Sequence, residues 1–586
     1  MKLDFDRIRE KLSEVDAVAL LTMLGVLAGL VSGLVILAFR FVIEATLNLI
    51  LPDNSENFEG LSMMMQGALP LTGAVLLGAL FTYLKPEHRR VGVGRVIERF
   101  NLYQGNLSLR GLVVQFVGAA VTLVSGLSMG REGPAVQLGA ASSSLLAQWA
   151  RLPNNSVRIL TSCGCAAAIS ASFNTPISGV IFAMEVIMME YSISSFIPII
   201  LASVVGAALT RAVYGHEPAF IIPEVQLGSL IELPFIVVFG IAVGFMAAAL
   251  IYLSKYSYER TAQLDVGLRF FIAGTVTAIL GLIAPEILGI GYDSVNTALI
   301  GGFTVTSLFL IMTLKLIATS ACVGLGLPGG VIGPSLVIGA MAGGVFGSLG
   351  VAILPNDSNV TLYVLLGMAG MMAATLAAPL AALMALLELT FEANIIFPGM
   401  LVVVISCLVA NHLFKQKGIF QTMLDAQGVK LRLSPLASHL HRAGVATVMK
   451  RKFGRVNHAI SLAQAKETMS GQPNWLLLEK DGIPTHYMPA ADLALHLEAL
   501  EKEQPEPSKE TDEPVDHKEQ DINLFEIPAN RENVTPVLLS ATLQEALDTM
   551  EQQGVNAVYV RRMSAPNIYR VFGFVRKQDI EHFYHR

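Results

Sequence analysis

Charge is what this chain has least of. Only 15% of its 586 residues are Asp, Glu, Lys or Arg, 53% are hydrophobic, and the mean hydropathy is +0.58. A soluble domain carries about 25% charged residues, so the scarcity argues against a soluble enzyme and for a polytopic membrane protein. Cysteine is also scarce: Cys163, Cys165, Cys322 and Cys407 all fall in apolar segments. Disulfide and zinc frameworks need paired cysteines in polar loops, so redox and metal roles are disfavoured, and Cys163-Gly164-Cys165 reads as small packing residues. No cleavable signal peptide is evident, because Met1 to Asp16 mixes Lys2, Arg7, Arg9 and Lys11 with acids and reads as an interfacial helix. The net charge of −6 points to no partner class, and nucleic acid is not expected.

What is present is a long apolar region from Val18 to Phe414, with room at about 20 residues per crossing for well over ten spanning or partly spanning helices. Lys85, Arg89, Arg90, Arg95 and Arg99 form one basic loop, and Lys415, Lys417, Lys430, Arg432 and Arg442 follow the last span. Both are expected on the cytoplasmic side, with the two termini. Polarity changes near residue 430. The rest is expected to be a doubled α/β appendage: Val445–Met449, Ile460–Ser470, Trp475–Glu479 and Tyr487–Leu493 are repeated in order by Val537–Leu539, Leu543–Gln553, Ala557–Val560 and Val571–Ile580. Each copy reads as a strand-helix-strand-strand-helix unit. Residues 501–521, rich in Glu, Pro, Lys and Asp, read as a disordered linker between units at 431–500 and 522–586.

Within the apolar region Gly130-Arg131-Glu132-Gly133-Pro134 stands out. An ionisable pair at bilayer depth costs several kcal/mol unless it faces a watery path or a partner. Its glycines and proline break one helix and leave free N–H groups at the start of the next, which is an anion-binding terminus. An echo lies 200 residues on, in Gly330-Val331-Ile332-Gly333-Pro334. Matching broken helices in two halves point to a transport site near the midplane. Two soluble-enzyme patterns are set aside. Gly126-Leu127-Ser128-Met129-Gly130 has nucleophile-elbow spacing without the strand-turn-helix setting or a histidine partner. Gly324 to Gly329 matches G-x-G-x-x-G but contains Pro328 and has no βαβ unit.

Taken with Phe173-Asn174-Thr175-Pro176, Val136 to Gly139 and the doubled tail, these strings resemble the CLC chloride channel and transporter family over nearly the whole chain. The resemblance implies an all-α polytopic membrane domain (1–430) of about eighteen helices in two inverted halves (15–215 and 230–430), followed by a cytoplasmic α/β CBS pair. It implies a homodimer in the inner membrane, surrounded by lipid, with one pore per subunit for chloride and other small anions. The anion-binding donors would be the amides of Arg131, Glu132 and Gly133 and of Val331 and Ile332. Backbone dipoles suit an ion that must also leave. Glu132 would be the gate: ionised, it competes with chloride for those amides; protonated, it swings away.

Three departures from the family pattern carry expectations. Val93 stands where the family has a serine hydroxyl, and Phe420 where it has a tyrosine, so anion binding is expected to weaken by about 1 kcal/mol per lost hydrogen bond. Val186 fills the place of the inner proton acceptor next to Glu185, which favours channel-like or poorly coupled flow over chloride/proton antiport; Glu190, a turn further on, is the substitute to consider. In the tail, Asp492 and Asp579 match the aspartates that hold an adenosine nucleotide in such pairs. The hydroxyl positions three residues earlier hold Pro489 and Arg576, so a structural dimerising role is expected and no cofactor is required. The rival readings are a CBS-regulated divalent-cation channel, which needs converging carboxylates where Glu185, Glu388 and Glu392 look dispersed, a hydrolase using Ser128, and a fluoride exporter.

Overall fold

In the computed structural model the described residues are 11–13, 17–52, 56–215, 220, 222, 225, 228–353, 359–431, 435–503, 521–565 and 568–584. The linker 501–521 lies mostly outside them, as does the interfacial helix expected over Met1–Asp16. The chain divides into an apolar helical unit, 18–151 with 157–432, and a second unit made of 1–17, 152–156 and 433–586.

Between Val18 and Ala426 the described residues form seventeen α-helices. In the first half they are α1 (Val18–Ile50), α2 (Met63–Thr82), α3 (Val93–Leu102), α4 (Leu109–Val124), α5 (Glu132–Trp149), α6 (Asn154–Phe173), α7 (Pro176–Phe182) and α8 (Ile193–Tyr214). The second half runs α9 (Leu233–Thr261), α10 (Val266–Ile283), α11 (Tyr292–Leu299), α12 (Val305–Leu325), α13 (Ile332–Ile353), α14 (Val360–Leu376), α15 (Pro379–Thr390), α16 (Ile396–Cys407) and α17 (Ile419–Ala426). Nine helices among the described residues are long and apolar enough to cross a bilayer, and others such as α4 and α15 are shorter. The architecture is an all-α polytopic membrane protein of inverted halves. Their correspondence is visible in the packing. A β-carbon on Gly139 of α5 would strike the Gly164 carbonyl of α6, and one on Gly339 of α13 would strike the Gly367 carbonyl of α14. Each half thus presses its broken helix against the next through facing glycines, the small-residue packing that lets backbones approach in lipid. Cys163, Cys165 and Cys322 are buried as free thiols in these helices.

A second correspondence ties the halves crosswise. Glu185 follows α7 in a π-helical turn (Ala183–Met188) and accepts hydrogen bonds from the amides of Leu380 and Ala381, at 3.3 and 2.8 Å, at the start of α15. Glu388 of α15 accepts from Ile177 and Ser178, at 2.8 and 2.7 Å, at the start of α7. Each carboxylate satisfies orphan donors and the positive dipole end of the opposite half's helix.

The C-terminal unit carries a six-stranded sheet. Its strands are β1 (Phe453–Asn457), β3 (Trp475–Lys480), β4 (Ile483–Pro489), β6 (Glu532–Leu538), β7 (Ala557–Ala565) and β8 (Ile568–Arg576), adjacent in that order, while β2 (Ala459–Ser461) and β5 (Asp521–Asn523) form a separate pair. β1 and β6 each pair parallel with the following strand, β3 and β7, which then pairs antiparallel with the next. β4 and β6 join the copies antiparallel. Helices Leu462–Ser470 and Leu543–Gln553 both start at a capping box, Ser461 with Gln464 and Thr542 with Glu545. These reciprocal side-chain bonds are why both helices begin where they do.

Two features depart from expectation. Val445–Met449 is not a strand: Val445–Thr447 is a 3-10 turn, and the chain pairs only on either side of it, in single bridges of Gly444 with Thr542 and Lys450 with Phe574. Leading segments are also exchanged. Leu440, Ala443 and Val445 pack into the core of the second copy. Ile522, Leu524 and Ile527 pack into that of the first, with Ala459–Ser461 pairing antiparallel to Asp521–Asn523. A cut between 500 and 522 therefore does not separate the two cores.

Candidate functional site

The two interrupted helices meet at their breaks. Gly130 and Gly330 exchange both backbone hydrogen bonds, each 2.7 Å, in an isolated antiparallel bridge. Glycine is required: a β-carbon on Gly133 would lie 2.7 Å from the Gly330 α-carbon, and one on Gly330 would lie 2.5 Å from the Gly133 nitrogen. Two helix starts, α5 and α13, are thereby clamped face to face. Among the described residues the amides of Arg131, Glu132, Gly133, Val331 and Ile332 donate to no group, which leaves a cluster of unpaired N–H dipoles at the junction.

Glu132, the first residue of α5, is completely buried. Its Oε2 accepts from the Gly333 amide of α13 at 3.1 Å, and its Oε1 accepts from the Tyr292 hydroxyl at 2.5 Å. The carboxylate of one half therefore sits on the helix start of the other. Gly333 was not among the expected donors, which stopped one residue short at Ile332. Tyr292 was missed altogether. Its signal was an isolated tyrosine after Gly289-Ile290-Gly291, where Gly291 takes φ 88° and aims the first residue of α11 toward the junction. The Tyr292 ring is packed by Phe220 at 5.5 Å and Phe173 at 6.5 Å.

Arg131 does not pair with Glu132. Its guanidinium lies 3.8 Å from Glu44 and 5.7 Å above the Tyr292 ring. In the loop after α1, Glu59 is pushed up to about 8, first by its burial and then by the Asp293 charge. That raised carboxyl lies beside Asp293, the residue that follows Tyr292.

On the other side of the junction a cavity of about 270 Å³ is lined by Val93 at the start of α3, Val331 before α13 and Phe420 at the start of α17. Val93 is buried and its side chain presents no donor. The Gly92 amide just before it is taken by the side-chain oxygens of Gln115, at 2.9 Å, and Gln137. The cavity wall at this level is apolar, flanked by the start of α13.

A helix start facing a buried carboxylate, the crossed repeat and the apolar span count converge with the comparisons. The voltage gated chloride channel family profile matches residues 73–411. This chain belongs to that family. An H(+)/Cl(-) exchange transporter ClcA of Vibrio parahaemolyticus is 27% identical over 66% of this chain and 84% of its own length. A chloride channel protein CLC-f of Arabidopsis thaliana is 31% identical over 57% of this chain and 45% of its own. The crystal structure of a slow cyanobacterial Cl-/H+ antiporter covers 70% of this chain and 98% of its own with a TM-score of 0.62 at 22% identity, a likeness of fold.

Val186 is buried in the π-turn beside Glu185, and Glu185 is committed to α15 as described. Ser128 is buried and hydrogen-bonded to Thr319 at 3.1 Å, an arrangement without a base. Glu185 and Glu388 cap helices instead of converging on one cation site.

In the C-terminal unit the two aspartates are occupied. Asp492 accepts from the Asn530 amide at 3.2 Å. Asp579 receives Nε and Nη2 of Arg576 at 3.0 and 2.8 Å and the Arg576 amide at 3.2 Å, with Lys450 3.6 Å away. Burial alone would raise the Asp579 carboxyl, but the Arg576 hydrogen bonds and the two cations outweigh it and hold the group below its ordinary value. A depressed carboxyl contributes stability fully above the ordinary aspartate value of about 3.9 and loses it as pH falls through the lower folded value. Asp579→Asn is therefore expected to cost on the order of 1 kcal/mol at pH 7 and nothing in strong acid. Faster hydrogen exchange in β8 and the helix Lys577–Tyr584 at pH 7, converging with wild type toward pH 3, would show it.

Proposed function

We propose that this chain carries out CLC-type transport of chloride and similar small anions, with Glu132 as the gate. The observation that carries the reading is the buried Glu132 carboxylate accepting the Gly333 amide at the start of the opposing helix. An anion entering the junction needs the same N–H dipoles, so carboxylate and chloride exclude one another, and protonation or withdrawal of Glu132 frees the seat. Tyr292 is the latch. Its hydroxyl donates to the carboxylate in the shut position, and its ring is fixed by Phe173 and Phe220.

The transport cycle is read as chloride/proton exchange. The exchanger names among the relatives support this, and they give no priority to the uncoupled flow expected from Val186. A second reading keeps uncoupled flow because Val186 carries no proton and Glu185 is spent on capping α15. The protein works as a homodimer with one path per subunit in the inner membrane, its termini and CBS pair cytoplasmic. The C-terminal pair is structural, because Asp492 and Asp579 already have protein partners. Chloride and proton fluxes recorded together from reconstituted liposomes test the cycle. A chloride gradient that drives proton movement at a fixed ratio supports exchange; chloride movement without protons selects the second reading, and no anion flux from folded protein rejects both.

The latch has its own test. Tyr292→Phe removes one donor to a charged acceptor, worth about 1.5–3 kcal/mol, so flux at neutral pH is expected to rise about tenfold or more. In the Glu132→Gln background the same change should matter little, because the ionised acceptor is gone.

A further inference from the structure

The cavity lined by Val93, Val331 and Phe420 also carries four arginines: Arg89, Arg90, Arg95 and Arg269. Three are spoken for. Arg95 and Arg90 both pair with Glu98, at 2.7 and 3.3 Å, and Arg89 donates to the Leu84 and Thr82 carbonyls at 2.9 and 3.1 Å. Arg269, in the first turn of α10, is different. Its side chain makes no hydrogen bond or ion pair among the described residues, its Nε is buried without a partner, and its guanidinium is positioned by the face of Tyr258 at 5.3 Å. Room for it is kept by Gly326, at φ 85°, where a β-carbon would come 3.2 Å from Nη2.

A guanidinium stays charged throughout the working pH range and presents a rigid fork of donors. Partly buried without a counter-charge, it is costly. In the same cavity the side chains of Val93 and Phe420 offer no donor. We propose that Arg269 forms a side-chain anion site in this mouth, in series with the amide seat at the helix junction. A halide there receives charge-assisted N–H bonds and supplies the charge that no carboxylate supplies. Partial solvent exposure screens the pair, so the ion is held and still released. The inference rests on the anion path read above and adds its second binding position.

Bromide is the probe. Full-length crystals soaked in bromide are expected to show an anomalous peak within hydrogen-bond distance of the Arg269 guanidinium, absent in Arg269→Gln and retained in Arg269→Lys. In liposomes with chloride varied on each face separately, Arg269→Gln should raise KM about tenfold on one face only, with Arg269→Lys close to wild type. No bromide peak at Arg269 in wild type overturns the proposal. So does a peak accompanied by an unchanged KM in Arg269→Gln, which marks a bystander ion. Should Arg269→Gln prove unstable, Arg269→Met takes its place: loss of the peak with a raised KM on one face supports the site, and an absent wild-type peak or an unchanged KM rejects it. Failure of the gate reading is distinguishable, because it would show in the pH response of Glu132→Gln with Arg269 intact.

Discussion

Glu132→Gln is expected to hold the path open and to flatten the pH dependence of anion flux. In the shut state the carboxylate takes the Gly333 amide and the Tyr292 hydroxyl, and hydrogen bonds to a charged acceptor are worth about 1.5–3 kcal/mol each. A neutral amide of the same size binds these donors less strongly and cannot be recharged at high pH. Flux at pH 7.5 should therefore rise at least about tenfold, and the acid limb of the profile should disappear. Any response that survives is expected near pH 8, where Glu59 titrates under the influence of its burial and of Asp293; adding Glu59→Gln should remove it. A Glu132→Gln protein with the wild-type acid limb would take the carboxylate out of the gate.

The second large effect is steric. Gly330→Ala places a methyl group 2.5 Å from the Gly133 nitrogen and 3.0 Å from the Gly130 oxygen, across the bridge that clamps the two helix starts. Both neighbours are backbone, so neither can turn aside, and overpacking of this kind costs about 1–3 kcal/mol. Separating the loops by even half an ångström moves Gly333 away from Glu132 and disperses the unpaired amides. Flux is expected to fall more than about tenfold, since anion affinity depends on amides that converge. Gly301→Ala is the control: it also has positive φ, 71°, but nothing lies within 4 Å of the added carbon. It should lower stability slightly and leave flux intact. Equal flux in both variants would mean that the Gly130–Gly330 clasp does not shape the path.

The membrane architecture was legible because its cause is compositional: apolar runs of bilayer length separated by basic loops force helices. The site was half legible. Gly130 to Pro134 and Gly330 to Pro334 announce broken helices through residue types that cannot continue one, and Glu132 announces itself as charge in an apolar setting. Which amide a side chain will reach depends on how two distant helices dock, so the Gly333 amide that holds the Glu132 carboxylate could not be read from the sequence. Tyr292 stayed hidden for a related reason. A lone tyrosine in an apolar stretch reads as packing, and only the left-handed Gly291 and the rings of Phe173 and Phe220 direct its hydroxyl onto the carboxylate. In the C-terminal unit, Val445–Met449 has strand composition but follows the helix Pro435–His441 and begins as the 3-10 turn Val445–Thr447, whose Val445 fills the other copy's core. Exchange between copies leaves no local mark on a sequence.

The central claim is that chloride and the ionised Glu132 compete for one seat, and linkage makes this measurable without transport. If they compete, adding chloride must drive proton uptake by the protein. In weakly buffered detergent solution at acid pH, wild-type protein is predicted to take up protons, at most about one per subunit, as chloride rises to saturation, while Glu132→Gln takes up none. Proton release, or equal uptake by wild type and Glu132→Gln, would contradict the account.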